Sequence, residues 1–287
     1  MSRIQHPADF PVFREEGDIL LPTSLTIGPW YPGTQHGSAM MLMAALAAER
    51  FPSEIPRQVV RMTVDMMKAA PVGPVQVVTS VRKGGRNMEV LDISLRDATP
   101  AGNGEECVRV SALRFRIDEV PVTEGFRYQG VAPVLPEPLD FDLFAHAVSR
   151  DGFHHAIEVR VDVQTKPGIM WMRLKQPVLP SLPATPLLRV ALAADWTYSI
   201  PNVVNHVLTR AGFGNKSFYG INPDTTINLH RPPQGEWIGI QTHCTYDDLG
   251  AGTAMGQIFD LQGPVGFCSQ SVLIRGSESG PMSTKKR

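Results

Sequence analysis

The stretch at residues 39–50, Ala-Met-Met-Leu-Met-Ala-Ala-Leu-Ala-Ala-Glu-Arg, constrains this chain more than any other. Ala and Met are strong helix formers. The run has almost no polar face, and a helix of that kind must be covered on most sides. It is far shorter than the roughly 20 residues a membrane helix needs. The rest of the chain therefore has to wrap it. A turn precedes it, with Gly33, Thr34, Gln35, His36, Gly37 and Ser38 in sequence.

Strand material comes next along the chain. Residues 59–67, 75–81, 87–96 and 107–117 carry β-branched or alternating apolar patterns. Lys83, Gly84, Gly85 and Arg86 read as a hairpin turn. Residues 121–138, with prolines at 121, 133, 136 and 138, have a linker composition. The second half repeats the grammar. Strands are predicted at 156–163 and 169–175, a second largely apolar helix at 187–196, and strands at 225–230, 237–246, 253–261 and 267–275. The halves give a weak internal repeat, with 68–73 laid on 229–234 and 111–116 on 270–275. That alignment puts Asp224 near Thr63 and Gln270 near Ser111. One helix wrapped by an antiparallel sheet is an α+β arrangement. Two copies would let the sheets join edge to edge and protect exposed strand edges.

The predicted organisation is residues 1–120, a linker at 121–138, a second unit at 139–276 and a polar, unstructured tail at 277–287. With 27 Lys and Arg against 28 Asp and Glu, the net charge is -1. Nucleic-acid binding through bulk charge is not expected. No apolar run is long enough to span a membrane, and no secretory signal is visible at the N-terminus. Cys107, Cys244 and Cys268 are too scattered for a disulfide framework or a zinc site. The expectation is a cytoplasmic protein with no metal and no cofactor.

The second half carries more specific residues. Asp224 lies six residues before His230-Arg231-Pro232, Trp237 comes after them, Thr245 stands eight residues later, and Gln270 sits in the last strand. The pattern resembles the acyl-CoA thioesterase II (TesB-like) family, over residues 17–276. The resemblance implies a double hot dog, meaning two tandem units of a helix wrapped by an antiparallel sheet. It implies hydrolysis of acyl-CoA by a water held by Asp224, Thr245 and Gln270. It also implies further pairing into a homo-oligomer.

That chemistry is coherent. A carboxylate takes a proton from water, and a hydroxyl with a side-chain amide fixes the water's position. The oxyanion needs donors, for which the turn with His36 and Gly37 ahead of the first helix is a candidate. Its equivalent before Pro186 is weaker. Arg82, Lys83 and Arg86 form a basic loop suited to coenzyme A phosphates, although a solvated turn reads as well. His154, His155 and His243 have no carboxylate or cysteine at metal-ligand spacing. A non-hydrolytic acyl-CoA-binding or regulatory hot dog is the alternative function. A hydratase is disfavoured, since Asp224 and His230 on one strand lie roughly 20 Å apart.

Overall fold

The computed structural model describes residues 6–29, 31–127, 132–145, 151–210 and 218–276. The expected tail at 277–287 and part of the expected linker lie outside these. In chain order the first half is β1 (Phe13–Glu16), β2 (Ile19–Pro22), α1 (Gly37–Arg50), β3 (Arg57–Met66), β4 (Val75–Lys83), β5 (Met88–Asp97) and β6 (Glu106–Arg116). The second is β7 (Ile157–Asp162), β8 (Ile169–Leu174), α2 (Pro186–Ala194), α3 (Ile200–Thr209), β9 (Phe218–Ile221), β10 (Asp224–Leu229), β11 (Ile238–Tyr246), β12 (Ala251–Asp260) and β13 (Gly263–Gly276). Sequence patterning misses β1, β2, β9 and α3. The first three are only four residues each, too short to show a period.

All the strands among the described residues form one antiparallel sheet, in the order β1-β2-β4-β5-β6-β3-β10-β13-β12-β11-β8-β7, with β9 also on β13. Read outward from the β3–β10 seam, the two halves are the same. The order β3-β6-β5-β4-β2-β1 matches β10-β13-β12-β11-β8-β7 strand for strand. This is a double hot dog with its sheets fused, so the seam leaves no edge exposed.

The register fixes the internal equivalence. Thr63 faces Thr226 across the seam, with the hydroxyls 3.2 Å apart. Thr63 in turn pairs with Ser111, and Thr226 with Ser269. Counting along the strands, Thr225 corresponds to Met62, Gln270 to Ala112 and Asp224 to Arg61. The expected alignment of Asp224 with Thr63 and of Gln270 with Ser111 is thus out by two residues and one. A one-residue slip exchanges the faces of a strand.

α1 packs on β3–β6 and against α2. Residues 38–46 and Ala48 are all buried, as a helix without a polar face requires. Met41, Leu42 and Met43 have no exposed surface, and each such side chain contributes about 1.5–3 kcal/mol on burial. α2 starts where Thr185 caps it, its hydroxyl accepting from Leu188 N–H, with Pro186 in the first turn. The two helices run antiparallel. The Ser38 hydroxyl reaches Leu192 O at one end, and Thr185 meets Glu49 at the other.

His230-Arg231-Pro232 proves to be a structural clamp. Arg231 makes a two-pronged contact with the fully buried Asp260 at 2.5 and 2.7 Å, and also donates to Pro264 O and Gly263 O. Burial opposes the Asp260 charge, but Arg231 and the backbone amides of Gln234 and Gln262 outweigh it and hold the carboxyl below its usual range. A depressed carboxyl adds stability that is present above the unfolded value near pH 4 and lost as pH falls through the folded value. Asp260→Asn is expected to cost about 3–5 kcal/mol in denaturant unfolding at neutral pH, because Arg231 then loses its partner. The gap to wild type should close at low pH.

Candidate functional site

The structure does not bring Asp224, Thr245 and Gln270 together. Along β13 the even-numbered residues face the helices, and Gln270 is 2% exposed. On β10 the inward residues are Thr225, Ile227 and Leu229, so Asp224 falls on the outer face. Its carboxylate accepts from the Ser271 N–H at 2.7 Å. Thr245 is also outward and exposed, paired with Thr253, which is paired with Ser271. The sheet itself stands between Gln270 and the other two.

Gln270 is instead a brace. Its amide nitrogen donates to Thr225 Oγ1 at 2.9 Å, Asp195 O at 3.0 Å and Ala194 O at 3.1 Å, while its oxygen accepts from Tyr198 N–H at 2.8 Å. These contacts pin the corner where α2 ends and the 3-10 turn Thr197–Ser199 begins. Asp195 caps that corner.

The Asp195 carboxylate, on a residue 7% exposed, lies against the start of α1 from the other half of the chain. It accepts from Ser38 Oγ at 3.0 Å and from Asn222 Nδ2 at 3.1 Å, and sits 3.2 Å from His36 Nδ1. A helix N-terminus favours a negative charge placed there. Gly37 makes the approach possible, because a Cβ at this position would come within 2.3 Å of Asp195 Oδ1.

His36 caps α1 and is held flat between Phe153 and Trp196, with ring centroids 5.1 and 5.2 Å away. Its Nδ1 has a donor on one side, the Ser38 N–H at 3.0 Å, and the Asp195 oxygen on the other. In one tautomer Nδ1 accepts from Ser38 and Nε2 carries the proton. In the other Nδ1–H donates to Asp195 and the Nε2 lone pair is free to act as a base.

His36 and Gly37, the sequence's candidates ahead of the first helix, both lie against Asp195. Asp195, Ser38 and Asn222 are additions. One sequence signal for Asp195 existed: it is the lone charge ending the otherwise apolar run Leu192, Ala193, Ala194. The basic loop lies elsewhere. Arg82 is paired with Asp92 on the neighbouring strand, and Gly85 O accepts from Arg57, at the end of the molecule where α1 finishes. Arg82, Lys83 and Arg86 thus do not converge on His36 within one chain. Among the described residues no group of three or more His, Cys, Asp or Glu side chains is placed to hold a metal ion, and no helix is long and apolar enough to cross a membrane.

Two family models match the sequence, the acyl-CoA thioesterase N-terminal domain over residues 26–115 and the acyl-CoA thioesterase C-terminal domain over residues 132–274. Comparison with curated proteins gives no match. Among solved structures, the chain is similar to acyl-CoA thioesterase II TesB2 from Mycobacterium marinum, at 15% identity and TM-score 0.60, covering 93% of this chain and 95% of that one. It is similar to a hot-dog-fold protein from Alicyclobacillus acidocaldarius, at 16% identity and TM-score 0.66, covering 95% and 99%. A tesB protein from Mycobacterium avium subsp. paratuberculosis matches at 15% identity and TM-score 0.59, covering 92% and 95%. These low identities speak for the fold, while the two adjoining family matches span most of the sequence and carry the chemistry: the chain belongs to the acyl-CoA thioesterase family and is a thioester hydrolase.

Proposed function

We propose that hydrolysis of acyl-CoA takes place at the start of α1, with His36 and Asp195 as its working pair. The observation that carries this reading is the 3.2 Å approach of Asp195 Oδ2 to His36 Nδ1 above the helix N-terminus. The carboxylate favours the tautomer with the proton on Nδ1, which leaves Nε2 able to take a proton from water. That water attacks the thioester carbonyl carbon. The oxyanion forms near the first N–H groups of α1, where donors are already oriented. Its collapse breaks the C–S bond, the thiolate leaves as coenzyme A, and His36 returns the proton to it. No covalent enzyme intermediate is needed. Gln270 serves here as a positioning residue, since it bonds to the Asp195 backbone.

A second reading uses the same pair. A His and a carboxylate can also add water across the double bond of an enoyl thioester. The His36–Asp195 contact, made between halves, supplies the pair that Asp224 and His230 do not.

The test measures free-thiol release from a panel of acyl-CoAs by the wild type and by Gly37→Ala. Wild type is expected to hydrolyse at least one chain length. In Gly37→Ala the added methyl displaces the Asp195 carboxylate. A misplacement of about 1 Å costs about 10²-fold, so kcat should fall by that order. Loss of enoyl absorbance without thiol release would favour hydration instead. Binding without turnover of either kind would leave a regulatory acyl-CoA binder.

A further inference from the structure

The fold's internal symmetry repeats the helix-terminus arrangement at the opposite end of the helix pair. There the cap of α2, Thr185, meets Glu49 near the end of α1, as His36 meets Asp195 at the other end. A cavity of about 310 Å³ opens at that end, at the lower limit of the size range for small-molecule sites. Its apolar walls come from Ala48, Val59, Val60, Leu187, Leu229 and Pro233, and the rest of its lining is polar.

The polar groups around the cavity are mostly spent. Arg114 is paired with Glu89 and Arg231 with Asp260. Burial and the neighbouring Arg231 hold His230 below its usual range, so it adds no charge at neutral pH. Glu49 is turned to the start of α2, where its carboxylate accepts from the Thr185 hydroxyl at 2.5 Å. Although the residue is exposed overall, desolvation raises its carboxyl above the usual range.

Arg57 is the exception. Its Nε donates to Ser53 Oγ and its Nη2 to Gly85 O, both neutral acceptors, and it has no carboxylate partner among the described residues. Its Nη1 is buried and without any partner. A buried cationic donor left unmet is costly, and a ligand carboxylate is the group that an arginine fork satisfies best. We propose that this cleft binds a small amphipathic carboxylate. The head rests on Arg57 and the alkyl body lies against Leu187, Leu229 and Val60.

The experiment is calorimetric titration of the full chain with octanoate, for wild type, Arg57→Met, Arg57→Lys, Leu187→Trp and His36→Ala. Saturable binding is expected for wild type. It should weaken about tenfold or more in Arg57→Met, partly recover in Arg57→Lys, and be blocked by Leu187→Trp, which fills the cavity. Acyl-CoA turnover should be unchanged in Arg57→Met, so the result does not depend on where hydrolysis occurs. Equal binding by wild type and Arg57→Met overturns the proposal, as does absence of saturable binding. Loss of binding in His36→Ala but not in Arg57→Met would move the carboxylate to the other site and also overturn it.

Discussion

Asp195→Asn is expected to lower acyl-CoA hydrolysis by about 10²–10⁴-fold, the usual worth of acid–base catalysis. The side chain keeps its size but loses its charge, so nothing favours the His36 tautomer with Nδ1–H. Ser38 and Asn222 both donate to the carboxylate. The amide offers them a single oxygen, and a donor left unmet costs about 1–3 kcal/mol. The melting temperature should therefore fall modestly while activity collapses. Asp224→Ala is the comparison. That carboxylate is on the outer face and meets the Ser271 N–H. The residue is half-buried, and loss of that one hydrogen bond should cost about 1 kcal/mol of stability and leave turnover nearly unchanged. Free-thiol release at saturating acyl-CoA separates the two. If Asp224→Ala loses activity and Asp195→Asn keeps it, the water is held on the outer face and the pair proposed here is not the base.

Gln270→Leu is expected to be strongly destabilising, on the scale of Asp260→Asn. Leucine fills the volume, but Tyr198 N–H, Ala194 O and Thr225 Oγ1 then lose a partner in a buried setting. With about 1–3 kcal/mol for each unmet buried group, and partial relaxation, the cost is about 4 kcal/mol. That corresponds to a melting point lower by roughly 10 °C. Activity should fall as well, because Asp195 O is held by the same amide. Thr225→Val removes a single acceptor from Gln270 and should cost about 1 kcal/mol. Equal losses in the two variants would mean that Gln270 does not brace the corner. The other half has Met62 and Ala112 at these two places, so the polar brace belongs to one half alone.

Much of the fold was legible because it is written as period and composition. An apolar run without a polar face has to be a covered helix, and α1 is one. β3 to β6 and β10 to β13 have enough residues to show their alternation. α3 was missed because Ile200 and Pro201 come after the apolar end of α2 with only a 3-10 turn between. In the site, His36 and Gly37 were readable as a helix start, and both meet Asp195.

The parity of β10 is written in Ile227 and Leu229, whose spacing of two turns Thr225 inward and Asp224 outward, and Thr225 meets Gln270 there. The carboxylate of the site is not read from β10. Nor does local sequence reveal that the end of α2 meets the start of α1 across more than 150 residues. By itself the sequence determined the longer elements, the duplication and the family, because those depend on periodicity and on motifs along one chain. Which carboxylate stands beside His36 was decided by the tertiary structure, because that contact exists only once the two halves have fused along β3 and β10 and laid their helices antiparallel.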